Sequence, residues 1–124
     1  MKIINELLVN DVGLAIKFYT DFLDFEIAEA TGNPINWVRL VNQTAELMLE
    51  DYQCAAHEFE TFPAKTDASN IIKFKFDDIM KVKSIYNKMQ KNNIKIFKDL
   101  NKTDYGTYEF VVLDCDNNII IISA

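Results

Sequence analysis

The stretch VNDVGLAIKFYTDFLDFE, residues 9–26, decides the fold. Behind Asp11, the apolar residues Val12, Ala15, Ile16, Tyr19, Phe22 and Leu23 fall at i, i+3, i+4, i+7, i+10 and i+11. That spacing draws one continuous stripe along an α-helix, and aspartate is a preferred residue for satisfying the free N–H groups of a first turn. A helix is therefore expected to start after Asp11. Before it, Lys2 to Val9 reads as a strand, and after it come three strand-like runs, Phe25 to Ala30, Trp37 to Val41 and Glu46 to Glu50.

The same unit recurs further along. A second helix is expected from Asp77 or Asp78, with Ile79, Val82, Ile85, Tyr86 and Met89 as its stripe and Asn92-Asn93 as a left-handed stop. Sliding one half on the other by 67 residues pairs Asp11 with Asp78, Val12 with Ile79, Ala15 with Val82, Phe18 with Ile85 and Tyr19 with Tyr86. Asn70 to Phe76 reads as the strand before this helix, and Ile94 to Lys98, Tyr108 to Leu113 and Ile119 to Ile122 as the strands after it. Each half thus reads βαβββ, an α+β arrangement with an internal repeat. The whole of residues 1–124 is expected to be one domain, with a first module over about 1–55, a loop over 52–68 and a second module over about 69–124.

Composition narrows the function. A chain of 124 residues, 49% apolar and 26% charged, has enough apolar material for a core of its own. With three glycines and two prolines, long disordered linkers are not expected, and Tyr52 to Ala68 is the one extended loop. A net charge of −6 opposes phosphate backbones and anionic lipid, which leaves a small molecule or another protein as partner. No apolar run is long enough to span a membrane, and the acidic residues Glu6 and Asp11 argue against a secretory leader. Cys54 and Cys115 have neither zinc-site spacing nor the density of a disulfide scaffold, so a reducing, cytoplasmic setting is expected.

The motifs resemble those of the vicinal-oxygen-chelate superfamily, which includes glyoxalase, bleomycin resistance proteins and dioxygenases. Residues 9–26 are similar to its strand-to-helix opening, in which an Asp caps the helix and an aromatic pair, here Phe18-Tyr19, packs beneath the sheet. YGTYEFVVLDCDNNIII, residues 105–121, is similar to its closing pattern, with Tyr105, Gly106, Glu109, Phe110, Asp114, Asp116 and Asn118 in order and spacing. Cys115 stands where a proline is usual and Asn117 where a glycine is usual; asparagine tolerates the positive φ such a turn needs. The resemblance implies two βαβββ modules forming a cupped mixed sheet with helices on its outer face, and a homodimer in which each cleft is built from both subunits.

The resemblance also implies a divalent metal held by four side chains on the concave face. Its first ligand falls on Ile4, seven residues before Asp11; its second on Ile71, seven before Asp78; and its last on Ile121. The remaining position lies at Glu46, Met48 or Glu50. Isoleucine offers no lone pair, and one carboxylate does not hold a transition ion against water, so no metal or other cofactor is expected. His57, the single histidine, falls in the expected loop.

Alternation along the strands then places Glu6, Leu8, Trp37, Arg39, Glu46, Met48, Glu50, Lys73, Lys75, Tyr108 and Ile119 on the cup, provided that Leu7, Val9, Ile72, Phe74, Phe76, Phe110, Val112, Ile120 and Ile122 pack under the helices. Of these, Glu6, Trp37, Arg39, Met48, Glu50 and Tyr108 are the expected ligand-binding residues: aromatic rings for a planar molecule and carboxylates for a cationic one. No serine lies in a nucleophile elbow, the Cys54 and His57 spacing carries no catalytic pattern, and no glycine-rich phosphate loop exists. The expected function is metal-independent binding and sequestration of a small organic molecule. A divalent-metal-dependent lyase, isomerase or dioxygenase and a non-catalytic protein-interaction module are the alternatives.

Overall fold

The computed structural model describes residues 1–43, 45–58 and 70–124. Its elements run β1 (Asn5–Val9), α1 (Val12–Leu23), β2 (Glu26–Thr31), β3 (Trp37–Asn42), β4 (Ala45–Asp51), α2 (Tyr52–Glu58), β5 (Ile71–Lys75), α3 (Ile79–Lys91), β6 (Ile96–Lys102), β7 (Tyr108–Leu113) and β8 (Ile119–Ser123). The fold is α+β, and the chain divides into two compact units, one holding β1 to α2 and the other β5 to β8. Each contains a four-stranded mixed sheet, in the orders β1-β4-β3-β2 and β5-β8-β7-β6. In both, the first strand runs parallel to the last, and the other pairs are antiparallel. The βαβββ repeat read from the residues is the repeat the backbone forms.

Local chemistry explains where the helices begin and end. The Asp11 carboxylate accepts from the Leu14 N–H at 2.9 Å, and the Asp78 carboxylate accepts from the Met80 N–H at 2.8 Å, each removing an orphan donor from a first turn. Helix α1 stops at Asp24, whose φ is 54°. Helix α3 ends at Lys91, and of the two asparagines behind it Asn92 has φ −97° while Asn93 takes the left-handed conformation at φ 57°. The Asn93 N–H then reaches the Gln90 carbonyl at 3.1 Å and the Ile94 N–H the Met89 carbonyl at 3.0 Å, the double bond of a Schellman ending.

Helix α1 buries Val12, Ala15, Phe18, Tyr19, Phe22 and Leu23, and α3 buries Val82, Ile85 and Met89. Under α1 the Tyr19 ring meets Phe18 and Phe25 edge-on, with centroids 5.2 and 6.2 Å apart. Under α3 the Tyr86 ring meets Phe110 edge-on at 5.1 Å. Edge-to-face pairs of this kind add about 0.5–1.5 kcal/mol beyond the area they bury. The alternating set beneath α1 is Leu7, Val9, Val38, Leu40, Leu47 and Leu49, all buried; beneath α3, Phe110, Val112, Ile120 and Ile122 are buried and Ile72, Phe74 and Phe76 half-buried.

Three segments differ from expectation. Strand β1 starts at Asn5, so Lys2 to Ile4 lie ahead of it. Residues 52–58 form helix α2 in place of the start of a loop, with Ala55 buried and the Asp51 carboxylate accepting from the Cys54 N–H at 3.0 Å. His57 is therefore an exposed residue in the last turn of a helix; the rest of the expected loop lies outside the described residues. Strand β6 starts at Ile96, not Ile94, because the Schellman ending takes up Ile94, and it runs on to Lys102 with two irregularities in register.

Candidate functional site

On the first sheet, the residues alternating with the buried set face away from α1. Parallel pairing of β1 with β4 sets Glu6 beside Met48 and Leu8 beside Glu50, and antiparallel pairing of β4 with β3 sets Met48 beside Arg39 and Glu50 beside Trp37. Two rows result, Glu6-Met48-Arg39 and Leu8-Glu50-Trp37, so that five of the six expected ligand-binding residues share one face. Leu8, Trp37 and Met48 are half-buried and form an apolar centre.

Hydrogen bonds fix its edges. The Trp37 indole N–H donates to Glu6 Oε1 at 3.0 Å, which orients the ring across the sheet. Glu50 lies against the same carboxylate: withdrawal from water first, then the charges of Glu6 and Glu58 and a hydrogen bond shared with Glu6, push the Glu50 carboxyl above its ordinary value. Arg39 is held between Glu29 and Glu46, 3.6 Å from an oxygen of each, while Lys2 also binds Glu46. The hydrogen bond from Lys2 leads the effects that hold Glu46 below the usual glutamate value, with Arg39 adding to it and burial opposing. The basic side chains of this face are thus already engaged by carboxylates, whereas Glu6 and Glu50 stand next to each other with an indole N–H as donor.

Tyr108 does not belong to this surface or to the corresponding face of the second sheet. It lies two residues before Phe110 on β7, where the Tyr108 N–H bonds the Ala124 carbonyl and Glu109 and Phe110 pair with Ser123 and Ile122, so it points to the α3 side, with Lys102 Nζ 5.8 Å from its ring centroid. A two-residue step keeps a side chain on one face of a strand, and the expectation for Tyr108 conflicted with that for Phe110. The face it was expected to share carries Glu109 instead. Lys73 Nζ lies 2.9 Å from Glu109 Oε2, Tyr105 donates to Glu109 Oε1 at 2.7 Å, and Lys73 sits 5.7 Å from the Tyr105 ring centroid. Burial pushes the Glu109 carboxyl up, but the bonds from Lys73 and Tyr105 outweigh it and leave the group below its ordinary value. Nothing in the spacing of Lys73 announces this cluster; Tyr105 and Glu109, four residues apart in the closing motif, were its only trace.

The strand register also chooses among the three residues left open for the remaining position that the resemblance implies. Ile121 pairs with Lys73, two residues beyond Ile71; the equivalent residue two beyond Ile4 is Glu6, which pairs with Met48. Met48 is thus the register equivalent of Ile121, and with Ile4 and Ile71, each seven residues before its capping aspartate, the positions that the resemblance implies carry three alkyl side chains and one thioether. Ile4 and Ile71 are 38% and 66% exposed. This donor set does not fit a divalent ion that wants oxygen or imidazole nitrogen. Among the described residues no three His, Cys, Asp or Glu side chains are grouped to hold a metal.

The closing turn is as the motif requires. Asn117 adopts φ 62°, and the Asp114 carboxylate accepts from the Asp116 and Asn118 N–H groups and from the Asn118 side chain, all at 2.9 Å.

The model of the Glyoxalase/Bleomycin resistance protein/Dioxygenase superfamily matches residues 4–122. The chain belongs to this superfamily. Solved glyoxalase-superfamily folds superpose on nearly all of it. A lactoylglutathione lyase from Agrobacterium tumefaciens is 18% identical with a TM-score of 0.79, covering 99% of this chain and 92% of its own. TioX from Micromonospora sp. ML1 is 14% identical with a TM-score of 0.79, covering 99% and 97%. A family enzyme from Burkholderia phytofirmans PsJN is 16% identical with a TM-score of 0.80, covering 97% and 94%. At such identities the glyoxalase-superfamily fold is shared and the chemistry is not thereby given. No curated protein matches the chain significantly. Among the described residues, no helix is long and apolar enough to cross a membrane.

Proposed function

We propose that this member of the glyoxalase superfamily binds a small organic cation bearing an aromatic ring, without a metal and without turning it over. The observation that carries the reading is the Trp37 indole anchored on Glu6 with Glu50 beside it, around the apolar centre of Leu8 and Met48. An aromatic face, two adjacent carboxylates and an apolar floor are the groups a cationic ring system needs. Metal independence is supported by the donor set Ile4, Met48, Ile71 and Ile121. The thiols lend no support to nucleophilic chemistry: desolvation and the Asp116 carboxylate push Cys115 up to about 12, and desolvation and Asp51 push Cys54 up. A cytoplasmic location and association as a homodimer belong to the same proposal.

Trp37 is the sole tryptophan, so its emission reports on the site directly. Titration with a panel of aromatic ammonium compounds in the presence of a chelator is expected to give a saturable change in that emission with at least one of them. The change should weaken at least about tenfold in the double variant E6Q/E50Q, which removes the charge and keeps the shape. A response that needs a divalent ion would return the protein to the metal-dependent enzymes, and the absence of any response across the panel would overturn the ligand class.

A further inference from the structure

The face of the second sheet turned away from α3 carries charge of the opposite sign to the face around Trp37. Along β5, β8 and β7 the register sets two rows side by side, Lys75-Ser123-Glu109 and Lys73-Ile121-Val111, opposite the buried Phe110, Val112, Ile120 and Ile122. Glu109 is buried and both its oxygens are taken, one by Lys73 and one by the Tyr105 hydroxyl. It acts as a brace beneath two polar groups that stay at the surface: the Lys73 side chain is 40% exposed and Tyr105 is 69% exposed. An ammonium carries three donors, and Glu109 occupies one of those of Lys73. Lys75 and Lys98 are exposed, and the charge of Lys98 also acts on Glu109. Lys73, Lys75 and Lys98 around the single carboxylate of Glu109 give this face a local net charge of +2, in a chain whose net charge is −6.

Ser123 supplies an independent observation. It stands between Lys75 and Glu109 in its row, its side chain is buried, and its hydroxyl meets no hydrogen-bond partner among the described residues. Buried hydroxyls are paired in the large majority of cases, so one that is not points to a partner that these residues do not supply. Lys75 beside it has a longer, exposed side chain that can move aside to admit one. We propose that this face binds the phosphate group of a small phosphate monoester, its oxygens held by the ammonium groups of Lys73 and Lys75 and one of them accepting from the Ser123 hydroxyl. The two lysines are two residues apart on one strand, about 6.6 Å along it, a span that a phosphate bridges between flexible lysine stems. A phosphate monoester carries about −1.5 to −2 charge at pH 7, which matches the local surplus. The exposed Tyr105 ring, 5.7 Å from Lys73 Nζ, offers the organic part of the ligand an apolar surface. The site lies wholly within the second unit and is independent of the cation site proposed on the first.

Calorimetric titration of the full chain with phenyl phosphate, at constant ionic strength set by chloride, tests it. One saturable site is expected. K75Q leaves the pair of Lys73 and Glu109 intact and should weaken binding about tenfold. S123A should weaken it about threefold yet melt no lower than the wild type, because the hydroxyl makes no bond in the unliganded protein. Inorganic phosphate should bind more weakly than phenyl phosphate, since it leaves the Tyr105 ring uncovered. No saturable heat with phenyl phosphate, or an affinity that neither variant changes, overturns the site. An S123A protein that melts below the wild type overturns the part given to Ser123, and equal affinity for the two probes overturns the part given to Tyr105.

Discussion

Glu50 is a carboxyl whose ionisation the fold resists, because it is partly withdrawn from water and shares its surroundings with Glu6, Glu58 and Asp51. A carboxyl raised above its unfolded value stabilises the fold by taking up a proton. That contribution is complete below the ordinary glutamate value of 4.5 and is lost as pH rises through the raised one. Glu46 and Glu109 behave oppositely: held below the same ordinary value, they stabilise the fold above it and lose that contribution only as pH falls through their lowered values. The windows are separate, so E50Q is expected to melt a few degrees higher than the wild type at pH 7 and to lose that advantage near pH 4.5. An equal melting temperature for the two proteins at both pH values would show that Glu50 bears no such load. Ligand binding should follow the same logic, since a bound cation favours the ionised form of Glu50 and opposes its protonation.

At the scale of elements, the two aspartate caps carry a direct test. Replacing Asp11 or Asp78 with alanine leaves the Leu14 or Met80 N–H without its acceptor and is expected to cost about 1 kcal/mol each in urea unfolding; a loss under a few tenths would mean water caps the helix as well. Caps, helix stripes and the turn at Asn117 were legible in the sequence because each depends on residues within a turn or two of each other. Helix α2 was not, since YQCAAHE is a two-turn segment with one buried residue and no stripe to read. The Trp37 to Glu6 bond was hidden for another reason. The partners stand 31 residues apart, on strands that do not touch, and only the pairing of both with β4 brings them to one face. Met48 illustrates the same dependence: three residues were open for the remaining position that the resemblance implies, and the register of two parallel strand pairs was needed to choose. Tyr108 was within reach, for counting from Phe110 puts it on the α3 side.

For the whole molecule, the repeat preserves backbone and core while the polar faces have gone separate ways. One sheet carries Glu6, Glu50 and Trp37 where the other carries the Lys73, Glu109 and Tyr105 cluster, and α3 is lysine-rich where α1 ends in acids. Ile4 and Met48 in one repeat, and Ile71 and Ile121 in the other, offer no donor that suits a divalent ion, which has a consequence for the stability of the chain. Anything that binds only the folded chain must raise its melting temperature. Zinc, nickel, manganese, magnesium and calcium are each expected to leave it unchanged, and a saturable rise with one of them would overturn the register argument. The parallel pairs β1 with β4 and β5 with β8 have one more consequence, for the order in which the chain folds. Each sheet is finished only when its own last strand arrives, and non-local pairings of this kind are slow to close. Since Asp51 ends the first sheet and Ser123 the second, a chain growing from its N-terminus has every strand of the first sheet in hand while the second still waits for β8.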